Sequence, residues 1–76
     1  MFDYNIYTDN SPEEFKNACE KVKNAFPDYE KHKLLVDVDG STIQIFSKSG
    51  KKIKIYDDYD VGAVYAVSDV ELKNVL

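Results

Sequence analysis

Apolar and polar residues alternate over Phe2-Asp3-Tyr4-Asn5-Ile6-Tyr7, the period of a strand with one buried face, so the chain is predicted to open on a strand. A polar turn, Thr8-Asp9-Asn10, follows. Ser11-Pro12-Glu13-Glu14 then marks a helix start. Ser11 suits the N-cap, where its hydroxyl accepts an orphan backbone N–H; Pro12 suits the first helical position, where a missing N–H costs nothing; Glu14 completes a capping box. Behind them Phe15, Ala18, Cys19, Val22, Ala25 and Phe26 recur at helical spacing as one apolar stripe, with Glu13, Lys16, Glu20, Lys23 and Asn24 elsewhere. Pro27 stops the helix.

After a polar linker, Asp28 to Lys33, the period returns to two. Leu34, Val36 and Val38 share a strand face. Asp39-Gly40, read as a two-residue type I′ turn, pairs Val36 with Ile43 and Leu34 with Ile45. Lys48-Ser49-Gly50, read as a three-residue loop, sets Ile45 opposite Ile53 and Ile43 opposite Ile55. These residues make the expected bed for the helix, and Leu35, Asp37, Thr42, Gln44, Phe46, Lys52, Lys54 and Tyr56 fall on the other face. A charged turn, Asp57-Asp58-Tyr59-Asp60, leads into a fifth strand over Val61 to Val67. Ser68-Asp69-Val70-Glu71 repeats the capping signature and predicts a short terminal helix closing at Leu76, marginal unless docked. The expected fold is therefore α+β, ordered β-α-β-β-β-β, with one amphipathic helix on a mainly antiparallel sheet. A right-handed crossover through the helix would set the first strand parallel to the second, adjacent to it or one strand apart.

Length and composition narrow this picture. Seventy-six residues leave room for one small globular domain, residues 1–76, and a hydrophobic fraction of 43% with ten aromatics is too rich for a disordered chain. A core this small leaves a net stability of about 3–5 kcal/mol, which a second copy or a partner protein would raise. The ten basic residues are all lysines and the net charge is −4, so a phosphate backbone would be repelled and no arginine fork is available to read bases. Nucleic acid is not an expected partner. The single cysteine, Cys19, excludes an intrachain disulfide and a multi-thiolate metal site. No apolar run is long enough for a signal or a membrane span, so no membrane association is expected and the cytoplasm is the expected compartment. The Lys-, Asn-, Ile- and Tyr-rich usage fits an AT-rich bacterial or phage genome.

Few residues offer chemistry. Leu34-Leu35-Val36-Asp37-Val38-Asp39-Gly40-Ser41 resembles the apolar strand and DxDG motif that open haloacid-dehalogenase-type phosphohydrolases. That resemblance implies Asp37 as nucleophile, Asp39 as general acid and Mg²⁺ as cofactor. It spans about eight residues, and the alternating strand that follows in hairpin register departs from the parallel sheet of those enzymes; a turn is the expected role of Asp39-Gly40. The acidic loop Asp57, Asp58, Asp60 offers hard oxygen ligands without EF-hand spacing, and solvated turn charge is expected there. His32 lies in a Lys/Glu-rich linker with no nucleophile beside it, and no glycine-rich phosphate loop exists. No catalytic, cofactor-binding or metal-binding residue is expected.

The second sheet face remains. Leu35, Phe46, Lys52, Lys54 and Tyr56 would form a mixed surface with aromatic anchors, covered either by the terminal segment or by a partner. The helix, Phe26-Pro27-Asp28 and the glycine-punctuated meander are loosely similar to the small PepSY-like domains, a resemblance that implies an inhibitory or regulatory role. The expected function is non-enzymatic protein binding, as in a small bacterial or phage inhibitor, immunity or regulatory protein, with another protein or a second copy as partner. The alternative is an acidic nucleic-acid mimic acting on a basic enzyme groove through Asp57, Asp58, Asp60, Asp69 and Glu71. A Mg²⁺-dependent phosphohydrolase built on Asp37 and Asp39 is the least favoured reading.

Overall fold

A computed structural model describes residues 1–76. Six strands and one helix follow in the order β1 (Phe2–Tyr7), α1 (Pro12–Ala25), β2 (Glu30–Lys31), β3 (Leu35–Val36), β4 (Thr42–Lys48), β5 (Lys51–Asp58) and β6 (Ala63–Ser68). All strand pairs are antiparallel, in the spatial order β1-β6-β5-β4-β2, with β3 also on β4. The α+β class with one helix on the sheet is as the sequence predicts. Two details differ. The expected second strand is reduced to β3, Leu35–Val36, and an additional strand, β2, lies within the stretch Asp28 to Lys33 read as a polar linker. β1 and β2 point the same way, as a crossover requires, but they lie at opposite edges, because the hairpins β4-β5-β6 fill the space between them and β1 closes on β6.

The helix begins where predicted. Ser11 is the N-cap and its hydroxyl accepts from the Glu14 N–H at 3.1 Å. Glu14 does not return the capping-box bond. Instead Asp57, at the end of β5, accepts from the Ser11 N–H at 3.3 Å and from the Asn10 amide at 3.0 Å. The stripe Ala18, Cys19, Val22 packs on Phe46, Ile53, Ile55 and Ala66. Burial pushes the Cys19 thiol up to about 11, so it stays protonated and apolar, as a small core residue should.

Both hairpin registers differ from prediction by one residue, and the differences exchange two turn types. At the first hairpin the Asp37 N–H bonds the Ser41 carbonyl at 2.8 Å and the Gly40 N–H bonds the Asp37 carbonyl at 3.0 Å. The loop is thus three residues, Val38-Asp39-Gly40, with Gly40 at φ +89°, and Leu35 faces Ile43. The ring of Tyr59 lies 3.0 Å from where a Cβ on Gly40 would sit, so this glycine answers both to its backbone and to its neighbour. At the second hairpin Ser49 and Gly50 have φ of +52° and +82°, the two-residue type I′ arrangement, and Lys48 pairs with Lys51.

A one-residue slip turns every side chain of β4 over. Phe46 therefore faces Ile53 and is buried against the helix, with Gln44 opposite Ile55. Ile43 and Ile45, expected in the core, lie on the far face, and Leu34, Val36 and Val38, expected beneath the helix, are exposed. Gln44 is satisfied in its buried place: its amide donates to the carbonyl of His32 at 2.6 Å and pins the break between β2 and β3 to β4.

No terminal helix forms beyond one turn at Leu72 to Leu76. The Ser68 hydroxyl, read from sequence as an N-cap, closes a local loop by donating to the Val70 carbonyl and accepting the Val70 N–H. The segment docks on the helix side of the sheet. Leu72 is fully buried in the core, Val75 and Leu76 pack against it, and the Leu72 N–H donates to the Tyr4 hydroxyl at 2.8 Å. No helix is long and apolar enough to cross a membrane.

Candidate functional site

Because α1 and the terminal segment both pack on one side, the other side of the sheet has no cover. Alternation along each strand, combined with the registers, lines that side with Leu35 from β3, Ile43 and Ile45 from β4, Tyr56 from β5, and Tyr65 and Val67 from β6. Tyr56 and Tyr65 are cross-strand neighbours whose rings stack at 4.7 Å between centroids and 13° between planes. All but Leu35 are half-buried by one another; Leu35 is exposed. This is an apolar surface in a row across the sheet rather than isolated exposed side chains.

The face is polar at both ends: acidic at one, and at the other two lysines with Asp69 beside them. Lys52 and Lys54 lie toward the start of β5. At its other end Asp37, Asp39, Asp58 and Asp60 ring a shallow hollow floored by Ile43 and Tyr56. These aspartates are engaged in turn geometry: Asp37 accepts from the Val38 N–H, Asp39 from the Ser41 N–H, and Asp58 from the N–H groups of Asp60 and Val61. No three His, Cys, Asp or Glu side chains are arranged to hold a metal ion. Asp37 follows a two-residue strand at an edge of an antiparallel sheet, a setting unlike the parallel sheet that the phosphohydrolase resemblance implies.

Of the predicted interaction residues, the structure keeps Leu35, Lys52, Lys54 and Tyr56 on the uncovered face and removes Phe46 to the core. Ile43, Ile45, Tyr65 and Val67 belong to the face and were missed. The usable signal was in β6, where Ala63, Tyr65 and Val67 alternate with Val64, Ala66 and Ser68; in β4 apolar residues occupy both faces, so only the turn type decides.

The acidic loop also divides. Asp57 is buried, at 3% exposure, inside the helix N-terminus. Asp58 is held below the usual carboxylate range by the hydrogen bond that Tyr65 donates at 2.8 Å, and by backbone N–H groups. Asp60 stays at the surface. Asp69 sits at the opposite end of β5 and accepts from the Lys52 N–H at 2.9 Å. The five carboxylates of the nucleic-acid-mimic reading are therefore not gathered on one surface. His32 bonds Ser47 at 2.6 Å on the β2 edge. Comparison with family models, curated proteins and solved structures returns no match.

Asp57→Ala should destabilise the protein by about 1.5–3 kcal/mol, the range for losing hydrogen bonds to a charged group, since it orphans donors of Asn10 and Ser11 and removes a negative charge from the helix N-terminus. Asp57→Asn should recover part of that loss, because one acceptor oxygen remains; chemical denaturation of the three proteins measures both. For Tyr65, partial burial and then the Asp58 carboxylate push the phenol from 10.0 up to about 12. A pKa raised by folding gives stability that is complete below the unfolded value, so stability should fall as pH rises from about 10 to about 12. Urea midpoints across that range should drop less steeply in Tyr65→Phe than in the wild type.

Proposed function

We propose that this chain is a non-enzymatic protein-binding module, of the kind that serves as a small inhibitor, immunity or regulatory protein, and that it binds through the uncovered face of its sheet. The observation that carries this reading is the row Leu35, Ile43, Ile45, Tyr56, Tyr65 and Val67, an apolar surface that no element of the chain packs against. Stacked tyrosines supply large, stiff contact area at low entropic cost, which suits them to anchor an interface. The charged ends specify the partner: an apolar surface with basic groups to meet Asp37, Asp39, Asp58 and Asp60, and acidic groups to meet Lys52 and Lys54.

The test is comparative capture from the source organism's lysate with wild-type protein, Ile45→Glu, and Lys16→Glu on the exposed side of α1. A protein that binds the wild type and Lys16→Glu but not Ile45→Glu, and that crosslinks from a photoreactive group at position 54, supports the reading. Identical capture by all three, with Ile45→Glu folded by circular dichroism, overturns it.

A further inference from the structure

The two edges of the sheet are built differently. On the β2/β3 edge the strands are two residues each; β2 is the charged pair Glu30–Lys31, and the break at His32 to Leu34 carries Lys33. Short, interrupted, lysine-bearing strands are how proteins blunt an edge against pairing. The β1 edge has none of these devices. β1 runs six residues without proline or lysine, and its bulge lies only at its end, between Asn5 and Tyr7. Phe2 and Tyr7, at its two ends, are exposed by 40% and 46%.

The hydrogen-bond phase identifies which groups are open. The Asp69 N–H bonds the Lys52 carbonyl at 2.9 Å, so in the β5/β6 register residues 67, 65 and 63 also turn toward β5. Ser68 and Ala66 then turn toward β1, and their partners Phe2 and Tyr4 turn toward β6. The backbone N–H and C=O of Asp3 and Asn5 therefore face outward, without a strand to meet them.

We propose that the β1 edge pairs with β1 of a second copy of this chain, antiparallel about a two-fold axis at Tyr4, joining two sheets into one. In that register Asp3 and Asn5 of the two copies form bonded pairs, so all their outward groups are used. Side chains match as well. On the helix side Phe2 meets Ile6 and Tyr4 meets Tyr4; on the other side each Asp3 carboxylate meets an Asn5 amide, which can donate to it. An axis at Asp3 would set the two carboxylates directly opposite each other, which is unfavourable. A two-fold makes this patch self-complementary, as a closed dimer requires. A hollow of about 230 Å³ between β1 and α1, lined by Tyr4, Ile6, Asn17, Ala18 and Leu76 among others, leaves room for side chains arriving across the seam.

Sedimentation equilibrium over a wide concentration range tests this, with Asn5→Pro and Asp3→Lys as variants. Proline at position 5 removes an N–H that faces outward and takes no part in pairing with β6. Lysine at position 3 leaves that N–H in place but puts a cation where the pair needs an acceptor. The wild type should dimerise, and each variant should weaken dimerisation by about tenfold or more, while Ile45→Glu on the open face should not. Amide exchange should show Asn5 protected in the dimer and released on dilution. If Asn5→Pro fails to fold, Asp3→Lys and the exchange of Asn5 decide. A wild type that stays monomeric throughout, or a dimer that persists in folded variants or dissociates only in Ile45→Glu, overturns the proposal.

Discussion

Phe46→Ala is expected to lower stability by about 3–5 kcal/mol, the range for emptying a buried aromatic site. At 1% exposure Phe46 is the largest fully buried side chain, in one core cluster with Ala18, Cys19 and Val22 of α1, Ile53 and Ile55 of β5, and Leu72 of the terminal segment. Its core neighbours Ile53, Ile55 and Leu72 are themselves fully buried, so closing the space would require them to leave their own contacts. A domain of this size has only about 3–5 kcal/mol in hand, so the variant should be largely unfolded at 25 °C. Urea denaturation and near-ultraviolet circular dichroism measure this directly. An unchanged midpoint would put Phe46 back on the open face and refute the β4/β5 register.

Leu72→Ala should cost nearly as much, about 2–5 kcal/mol for a buried leucine. The terminal segment has a single helical turn and no strand, so it contributes little hydrogen-bonded structure of its own and is attached by packing and by the bond from its Leu72 N–H to the Tyr4 hydroxyl. Without the Leu72 side chain that attachment loses its one fully buried group, and the helix-side core opens to water. Limited proteolysis should therefore cut the variant between Asp69 and Leu76 at protease levels that leave the wild type intact, alongside the loss in unfolding free energy. A variant that is equally resistant and equally stable would show that the segment is not part of the core.

The two cores of these predictions differ in how visible they are in the chain. The helix and its cap are local: Ser11 reaches Glu14 three residues on, and the stripe Ala18, Cys19, Val22 is set by helical period alone, so both could be read directly. The partner that completes the cap, Asp57, is 46 residues away from Ser11 and looks like one more turn carboxylate until β5 brings it to the helix N-terminus. The candidate site was half legible for a related reason. Lys52, Lys54 and Tyr56 alternate against Ile53 and Ile55, and β5 has only one apolar face to bury. β4, with Ile43 and Ile45 on one side and Phe46 on the other, can satisfy the core either way up.

Sequence alone determined the class of fold, the start and inner face of α1, and the number and rough position of the hairpins, because these depend on period and on residues close along the chain. Tertiary structure decided the rest. Whether Asp39-Gly40 or Ser49-Gly50 makes the two-residue turn is a difference of one residue that composition does not express, since either pair can adopt positive φ. Packing chose: the β4/β5 pairing that buries Phe46 beneath α1 requires the short turn at Ser49-Gly50, and the contact between Gly40 and Tyr59 accompanies the longer one. The place of β1 was decided in the same way, by long-range pairing with β6 and by the fit of Tyr4 to the terminal segment, neither of which leaves a periodic trace in the sequence.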